Sequence, residues 1–124
     1  MSVTYPLFVF EKDDNSMRLV KSESQILRDL EAIDIQNDEY AFWDVNGAGV
    51  SVAVSVGAFK TKLESVKSSP AVFSIREAFT LYAKNLGLPE TVIEGTPMDV
   101  WSRIQSDLAG RSQRRGFLSR LLSR

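Results

Sequence analysis

Apolar and polar residues in the first third of the chain are arranged as in a β-hairpin followed by a helix. Residues 5–10 form an aromatic and β-branched run, residues 17–21 form a second extended run, and the polar residues 11–16 join the two. Ser22 and Gln25 have the spacing of a helix capping box. A helix over residues 23–33 is predicted because apolar residues then recur at helical spacing, namely Ile26, Leu27, Leu30 and Ile33.

A second hairpin is predicted over residues 40–56, where the alternation is strictest. Residues 40–45 are rich in aromatic side chains, and a valine occupies every second position from residue 50 to residue 56. Between these runs, Asn46-Gly47 is the kind of dipeptide that most favours a tight hairpin turn. Residues 57–67 fit a helix or an exposed strand, and we favour the strand because Lys60, Lys62 and Glu64 alternate as on an exposed strand face.

The second half of the chain has helical patterns instead. A helix is predicted to begin at Ser74, which opens a capping box, and to end at Gly87. Thr96, followed by a proline at the first helical position, predicts the start of a last helix. Gly110 is expected to close that helix.

Hairpins that precede helices, without strict alternation of strand and helix, predict an α+β fold. We expect an antiparallel sheet of about four strands, made of two hairpins, with about three helices packed on one face. Residues 1–110 are expected to form a single compact domain, which is long enough to bury a core without disulfides or metals. Residues 111–124 are expected to form a basic amphipathic C-terminal tail.

Histidine and cysteine are both absent from the 124 residues. Their absence excludes Cys or His nucleophiles, Ser-His-Asp triads, and zinc sites built from thiolate or imidazole ligands. The glycines do not have the spacing of a nucleotide-binding loop, and neither a signal peptide nor an apolar stretch of membrane-spanning length is visible. We therefore expect a cytoplasmic protein that is not an enzyme and uses no cofactor or metal.

The net charge of −1 conceals a strong asymmetry along the chain. Residues 1–44 carry ten acidic residues against four basic ones, whereas residues 111–124 carry five arginines and no acid. Aromatic residues are interleaved with the acidic ones between residues 31 and 44, and carboxylates beside an exposed aromatic can recognise a basic partner. The candidate partner-binding residues are Glu31, Asp34, Asp38, Glu39 and Asp44.

Three other uses of acidic side chains are less favoured. Residues 44–49 resemble the opening of a calcium loop, but Ala48 and Ser55 stand where the fifth and twelfth positions require ligands. Residues 13–16 offer oxygens for a weak divalent ion, although Asp, Asn and Ser are also ordinary turn residues. A carboxylate pair for acid-base hydrolysis requires a separation that sequence spacing does not show.

The basic tail is the second candidate site. After the polar residues 111–116, apolar residues recur at helical spacing beside arginines, which predicts a short amphipathic helix. Such a helix can lie on an anionic membrane, dock into a partner's groove, fold back on the acidic residues 1–44, which we call the acidic front, or remain frayed. Nucleic acid is not an expected partner, because no aromatic residues are interleaved among the arginines. The candidate tail-contact residues are Arg114, Arg115, Phe117, Leu118, Leu121 and Leu122.

Three short stretches carry a resemblance to known proteins. Residues 5–9, 30–34 and 39–44, the last followed by Asn46-Gly47, resemble sequences in small uncharacterised bacterial proteins. Some of those proteins are similar to the immunity proteins that neutralise secreted toxins. The resemblance covers roughly residues 3–56 and implies a compact, non-catalytic protein with one acidic face, but no particular site residue.

These observations predict a bacterial binding or inhibitor module that contacts a basic protein partner through its acidic front. The alternative is a peripheral protein that is anchored to a membrane or to a partner helix by its C-terminal tail. Reversal of the acidic charges should abolish binding in the first case, and deletion of the tail should abolish it in the second.

Overall fold

The structure is a computed structural model that describes the backbone of residues 3–122 and the side chains of residues 3–111. It shows an open antiparallel sheet of five strands with α-helices packed against it, which confirms the predicted α+β class. The strands are paired in the order β2-β1-β3-β4-β5. Their bounds are β1 Leu7–Glu11, β2 Ser16–Val20, β3 Tyr40–Trp43, β4 Gly49–Val56 and β5 Thr61–Ser68.

Both predicted hairpins are present, as β1 with β2 and as β3 with β4. The sheet has one strand more than the four expected, because β5 pairs along β4 over its whole length. Most of residues 57–67 therefore lie in the strand that the alternation of charged residues favoured. The first and third strands pair with each other, with Glu11 opposite Tyr40 and Phe8 opposite Trp43.

The helices are α1 (Glu23–Asp29), α2 (Ala32–Gln36), α3 (Ile75–Asn85) and α4 (Pro97–Leu122), and residues Glu90–Val92 form a 3-10 turn. The single helix predicted over residues 23–33 is broken, because Leu30 is extended and its side chain is buried. Glu31 then precedes a second short helix.

Gly110 does not end the last helix, which continues to Leu122. A glycine inside a helix costs only about 1 kcal/mol relative to alanine, and the arginines and glutamine that follow Gly110 favour helix. Residues 111–116 are consequently part of α4 and not a linker.

Helices cover both faces of the sheet, whereas packing on one face was expected. Phe8, Phe10 and Trp43 point to the face that α3 and α4 cover. Leu7 and Val9 point to the opposite face, where α1 and α2 contribute Ile26, Leu30 and Ile35. The uninterrupted apolar run of residues 7–10 is the sequence signal for a strand that is buried on both sides.

The helix starts predicted at Ser74 and Thr96 are confirmed. The hydroxyl of Ser74 accepts the backbone N–H of Glu77 at 3.1 Å. Thr96 and Asp99 bond reciprocally, since the N–H of Thr96 donates to the Asp99 carboxylate at 2.9 Å and the N–H of Asp99 donates to the Thr96 hydroxyl at 3.2 Å. Hydrogen bonds from the backbone N–H and then from the side chain of Thr96 lower the pKa of Asp99, because the ionised carboxylate is the better acceptor.

The third and fourth strands separate soon after the turn that joins them. They pair only at Phe42 with Val50 and at Trp43 with Gly49, so β4 and β5 continue outward as a two-stranded ribbon. The side-chain amide of Gln36 donates to the carbonyl of Val54 at 3.4 Å, which places α2 along the unpaired edge of β4. A cavity of about 170 Å³ opens in the gap between the two strands.

Candidate functional site

Acidic side chains from four segments meet at one end of the sheet. Glu11 ends β1, Asp13 lies in the turn between β1 and β2, Asp34 lies on α2, and Glu39 immediately precedes β3. The charges of the other three all act on the Glu39 carboxyl. We call these four residues the acidic cluster.

Within the acidic cluster, the pKa of Glu39 is raised above the ordinary value for glutamate. The main cause is a hydrogen bond between the Glu39 and Asp34 carboxyl groups, followed by partial burial and then by the charges of Asp34, Asp13 and Glu11. The backbone holds the first pair together, because the N–H of Glu39 donates to the carbonyl of Asp34 at 3.0 Å. The fold therefore holds acidic groups from separate segments close together.

Two basic side chains border the acidic cluster, and both have partners of their own. Arg18 on β2 lies 3.4 Å from the Glu11 carboxylate and also donates to the carbonyl of Asp29 at 2.9 Å. Lys12 lies 3.4 Å from the carboxylate of Asp38 and donates to its carbonyl at 2.9 Å. Among the side chains that the structure describes, Asp13, Asp34 and Glu39 form no ion pair.

The structure brings together three of the five predicted partner-binding residues. Asp34 and Glu39 form the centre of the acidic cluster, and Asp38 is exposed beside them. Glu31 is exposed at the start of α2, and its backbone forms a hydrogen bond with the hydroxyl of Tyr40. Glu31 can therefore widen the acidic surface.

Asp44, the fifth predicted residue, lies at the opposite end of β3 and is only 8% exposed. One carboxylate oxygen of Asp44 accepts the backbone N–H of Asn46 at 2.9 Å and that of Ala48 at 3.0 Å. The side chain thus shapes the hairpin turn that Asn46-Gly47 predicted. Asp44 is therefore not brought together with Asp34, Asp38 and Glu39.

The aromatic residues that alternate with the acidic run are buried, which corrects the expectation of an exposed aromatic beside the carboxylates. Tyr40 and Phe42 pack against each other on the side of α1 and α2, with ring centres 6.1 Å apart. Trp43 is 1% exposed on the other side, and its indole N–H donates to the carbonyl of Phe73 at 3.3 Å. All three are core residues because both faces of β3 are covered.

Glu11 and Asp13 belong to the acidic cluster but were not among the candidate residues. They are more than twenty residues before Glu39 in the sequence, and only the antiparallel pairing of β1 with β3 brings the two segments together. The sequence signal was the acidic character of the first hairpin turn. Its position relative to residues 31–44 depends on strand order, which hydrophobic periodicity does not specify.

The candidate tail residues Arg114, Arg115, Phe117, Leu118, Leu121 and Leu122 lie outside the described side chains. The neighbouring Arg111 is described, and it donates to the carbonyl oxygens of Leu86 and Gly87 at the end of α3. Arg111 also lies 3.4 Å from the carboxylate of Asp107, one helical turn earlier. The first residue of the predicted tail is therefore attached to the body of the protein.

Among the described side chains, no three acidic residues are placed to hold one metal ion. Within residues 3–122, none of the helices combines the length and the apolar character needed to cross a membrane. Comparisons of the chain with protein-family models, with curated proteins and with solved structures give no match. A function must therefore be inferred from the chemistry of the surfaces themselves.

Proposed function

We propose that the protein is a bacterial, cytoplasmic binding or inhibitor module, similar to immunity proteins, whose acidic cluster contacts a basic surface of a protein partner. The gathering of Glu11, Asp13, Asp34 and Glu39 from four segments is the observation that carries the proposal. Like charges held close together oppose folding, and an arginine or lysine of a partner would remove that repulsion.

The expected mechanism is steering by charge followed by occlusion of the partner's basic surface. Carboxylates raise the association rate with a basic protein and oppose contact with acidic ones. A guanidinium placed between the Asp34 and Glu39 carboxyl groups would accept no proton and could donate to both, which favours the ionised form of Glu39. Binding would then weaken as the pH falls through the raised pKa of Glu39.

The proposal can be tested by capturing partners from a lysate of the source cells. The test variant carries Asp34→Lys and Glu39→Lys. The control carries Glu90→Lys and Glu94→Lys, which change the net charge equally at exposed residues outside the acidic cluster. We expect the wild type and the control to retain a stoichiometric basic protein at low salt and to release it at high salt, and the test variant to lose it.

Retention of every partner by the test variant would contradict the proposal. A further variant with Arg114→Glu and Arg115→Glu separates the two candidate surfaces, because it changes the tail and leaves the acidic cluster intact. If this variant alone loses the partner, the tail and not the acidic cluster is the binding site. Circular dichroism on each purified variant shows whether it is folded.

A further inference from the structure

The outer end of the β4–β5 ribbon presents an apolar tip on a closed turn. Val56 pairs with Thr61, and the N–H of Gly57 donates to the carbonyl of Lys60 at 2.9 Å. Within this turn the side chain of Phe59 is fully exposed, and that of Val56 is 44% exposed. The turn therefore holds a phenyl ring away from the rest of the protein.

The tip lies beyond the hydrophobic core. On the ribbon, packing against the core reaches only as far as Val54 and Leu63. At roughly 3.3 Å per residue, Val56 lies about 7 Å farther along β4 than Val54, the outermost residue of that strand that packs against the core.

The charge of the ribbon is opposite to that of the acidic front. Between Asp44 and Glu64 the chain has no acidic residue. Lys60 and Lys62 are both exposed, on either side of Thr61, which pairs with Val56. The carboxylate of Glu64 accepts the hydroxyl of Ser55 at 2.7 Å. The surface around Phe59 is thus apolar at its tip and basic at its base.

We propose that this tip binds the surface of an anionic lipid bilayer. Phe59 and Val56 would enter the boundary between headgroups and acyl chains, a layer about 5–10 Å deep. Lys60 and Lys62 would lie at the level of the lipid phosphates, where their alkyl stems can follow the apolar boundary. This surface is distinct from the acidic cluster, so the proposal does not depend on the proposed function.

The arrangement fits a bilayer because the tip is convex and its charge is complementary to anionic headgroups. A bilayer accommodates a protruding ring without a preformed pocket, whereas a small ligand requires a concave site. The acidic cluster would repel the same lipids, but salt at physiological ionic strength screens charges beyond a Debye length of about 8 Å. We therefore expect binding at physiological salt.

Sedimentation with vesicles tests the proposal on the full chain. We expect the wild type to bind vesicles of phosphatidylcholine and phosphatidylglycerol in equal amounts, and not vesicles of phosphatidylcholine alone. Phe59→Ser should weaken binding about tenfold or more because its apolar contact is lost. Val72→Ser is the matched control, because Val72 is 96% exposed in the loop at the other end of the ribbon.

The absence of cysteine allows a second readout with one label on each variant. An environment-sensitive dye on Ala58→Cys should shift to shorter emission wavelengths with the mixed vesicles, and the same dye on Val72→Cys should not. Either of two results would overturn the proposal. One is that the wild type does not bind the mixed vesicles; the other is that Phe59→Ser binds normally while Arg114→Glu with Arg115→Glu does not.

Discussion

The two ends of β3 put acidic side chains to opposite uses. After Trp43, the buried carboxylate of Asp44 accepts two backbone N–H groups and holds a turn in place. Before Tyr40, the carboxyl groups of Glu39 and Asp34 face each other, with Asp13 and Glu11 close by. Asp44 and Glu39, five positions apart, therefore contribute differently. A carboxylate that is bonded to the backbone stabilises the fold. One that lies beside other carboxylates destabilises it, and its charge can attract a basic partner.

The Trp43 end is also the more tightly packed, which makes Gly49→Ala the substitution with the largest expected effect on stability. A Cβ atom at Gly49 would lie 2.7 Å from the backbone nitrogen of Ala71 and closer still to the carbonyl oxygen of Ser69. Because backbone atoms cannot move aside as a flexible side chain can, we expect the free energy of unfolding to fall by about 3 kcal/mol. Urea denaturation measures the loss, and an unchanged midpoint would show that residues 69–71 are not held against β4.

Removal of the buried carboxylate should have the next largest effect. Asp44→Ala leaves the N–H groups of Asn46 and Ala48 without their acceptor, and we expect the free energy of unfolding to fall by about 2 kcal/mol. Asp44→Asn keeps one acceptor oxygen and should lose less. If the two variants are equally stable, the hydrogen bonds at the turn are not what Asp44 contributes.

Substitution at the Tyr40 end should act in the opposite direction and by a smaller amount. Glu39→Gln removes one of the mutually repelling charges, and its amide can donate to the Asp34 carboxylate. We expect the free energy of unfolding at neutral pH to rise slightly. Glu90→Gln, at an exposed residue outside the acidic cluster, is the control for the loss of one negative charge, and it should leave the stability unchanged.

The stabilisation by Glu39→Gln should also depend on pH. The pKa of Glu39 is raised in the folded protein. At pH values between its ordinary and its raised pKa, the folded wild type therefore binds more protons than the unfolded chain. The stability of the wild type consequently increases as the pH falls through this range. Asp99 acts the other way, since its lowered pKa removes stability at low pH, but it does so equally in both proteins. The difference between the two proteins should therefore shrink on acidification. A difference that is constant with pH would show that the charge of Glu39 is not its cause.

Elements defined by local chemistry could be predicted from the sequence, and features that depend on strand order could not. The valine alternation and Asn46-Gly47 predicted the second hairpin, and Ser74 and Thr96 predicted helix starts, because each of these signals acts within a few residues. The break at Leu30 depends on burial of that side chain in the core, and sequence spacing alone does not reveal it.

For the acidic cluster too, the sequence predicted residues that are close together in the chain, but not those that strand pairing brings together. Asp34, Asp38 and Glu39 were predicted from an acidic run, and the structure places them near one another. Asp44 belonged to the same run, yet strand geometry carries it to the other end of β3. Glu11 entered the site through its pairing opposite Tyr40, a contact between segments about thirty residues apart.

The separation of β4 from β3 leaves the ribbon less firmly connected to the sheet than the inner strands are to one another. Two residue pairs connect the ribbon to β3, whereas four connect β1 to β3 and five connect β1 to β2. Opening of the outer ribbon, the part beyond Val54 and Leu63, breaks few contacts with the core, so it costs less free energy than opening of the inner strands. The outer ribbon can therefore exchange its amide hydrogens through local fluctuations, while the strands that hold Glu11 and Tyr40 in register remain protected until the whole domain unfolds.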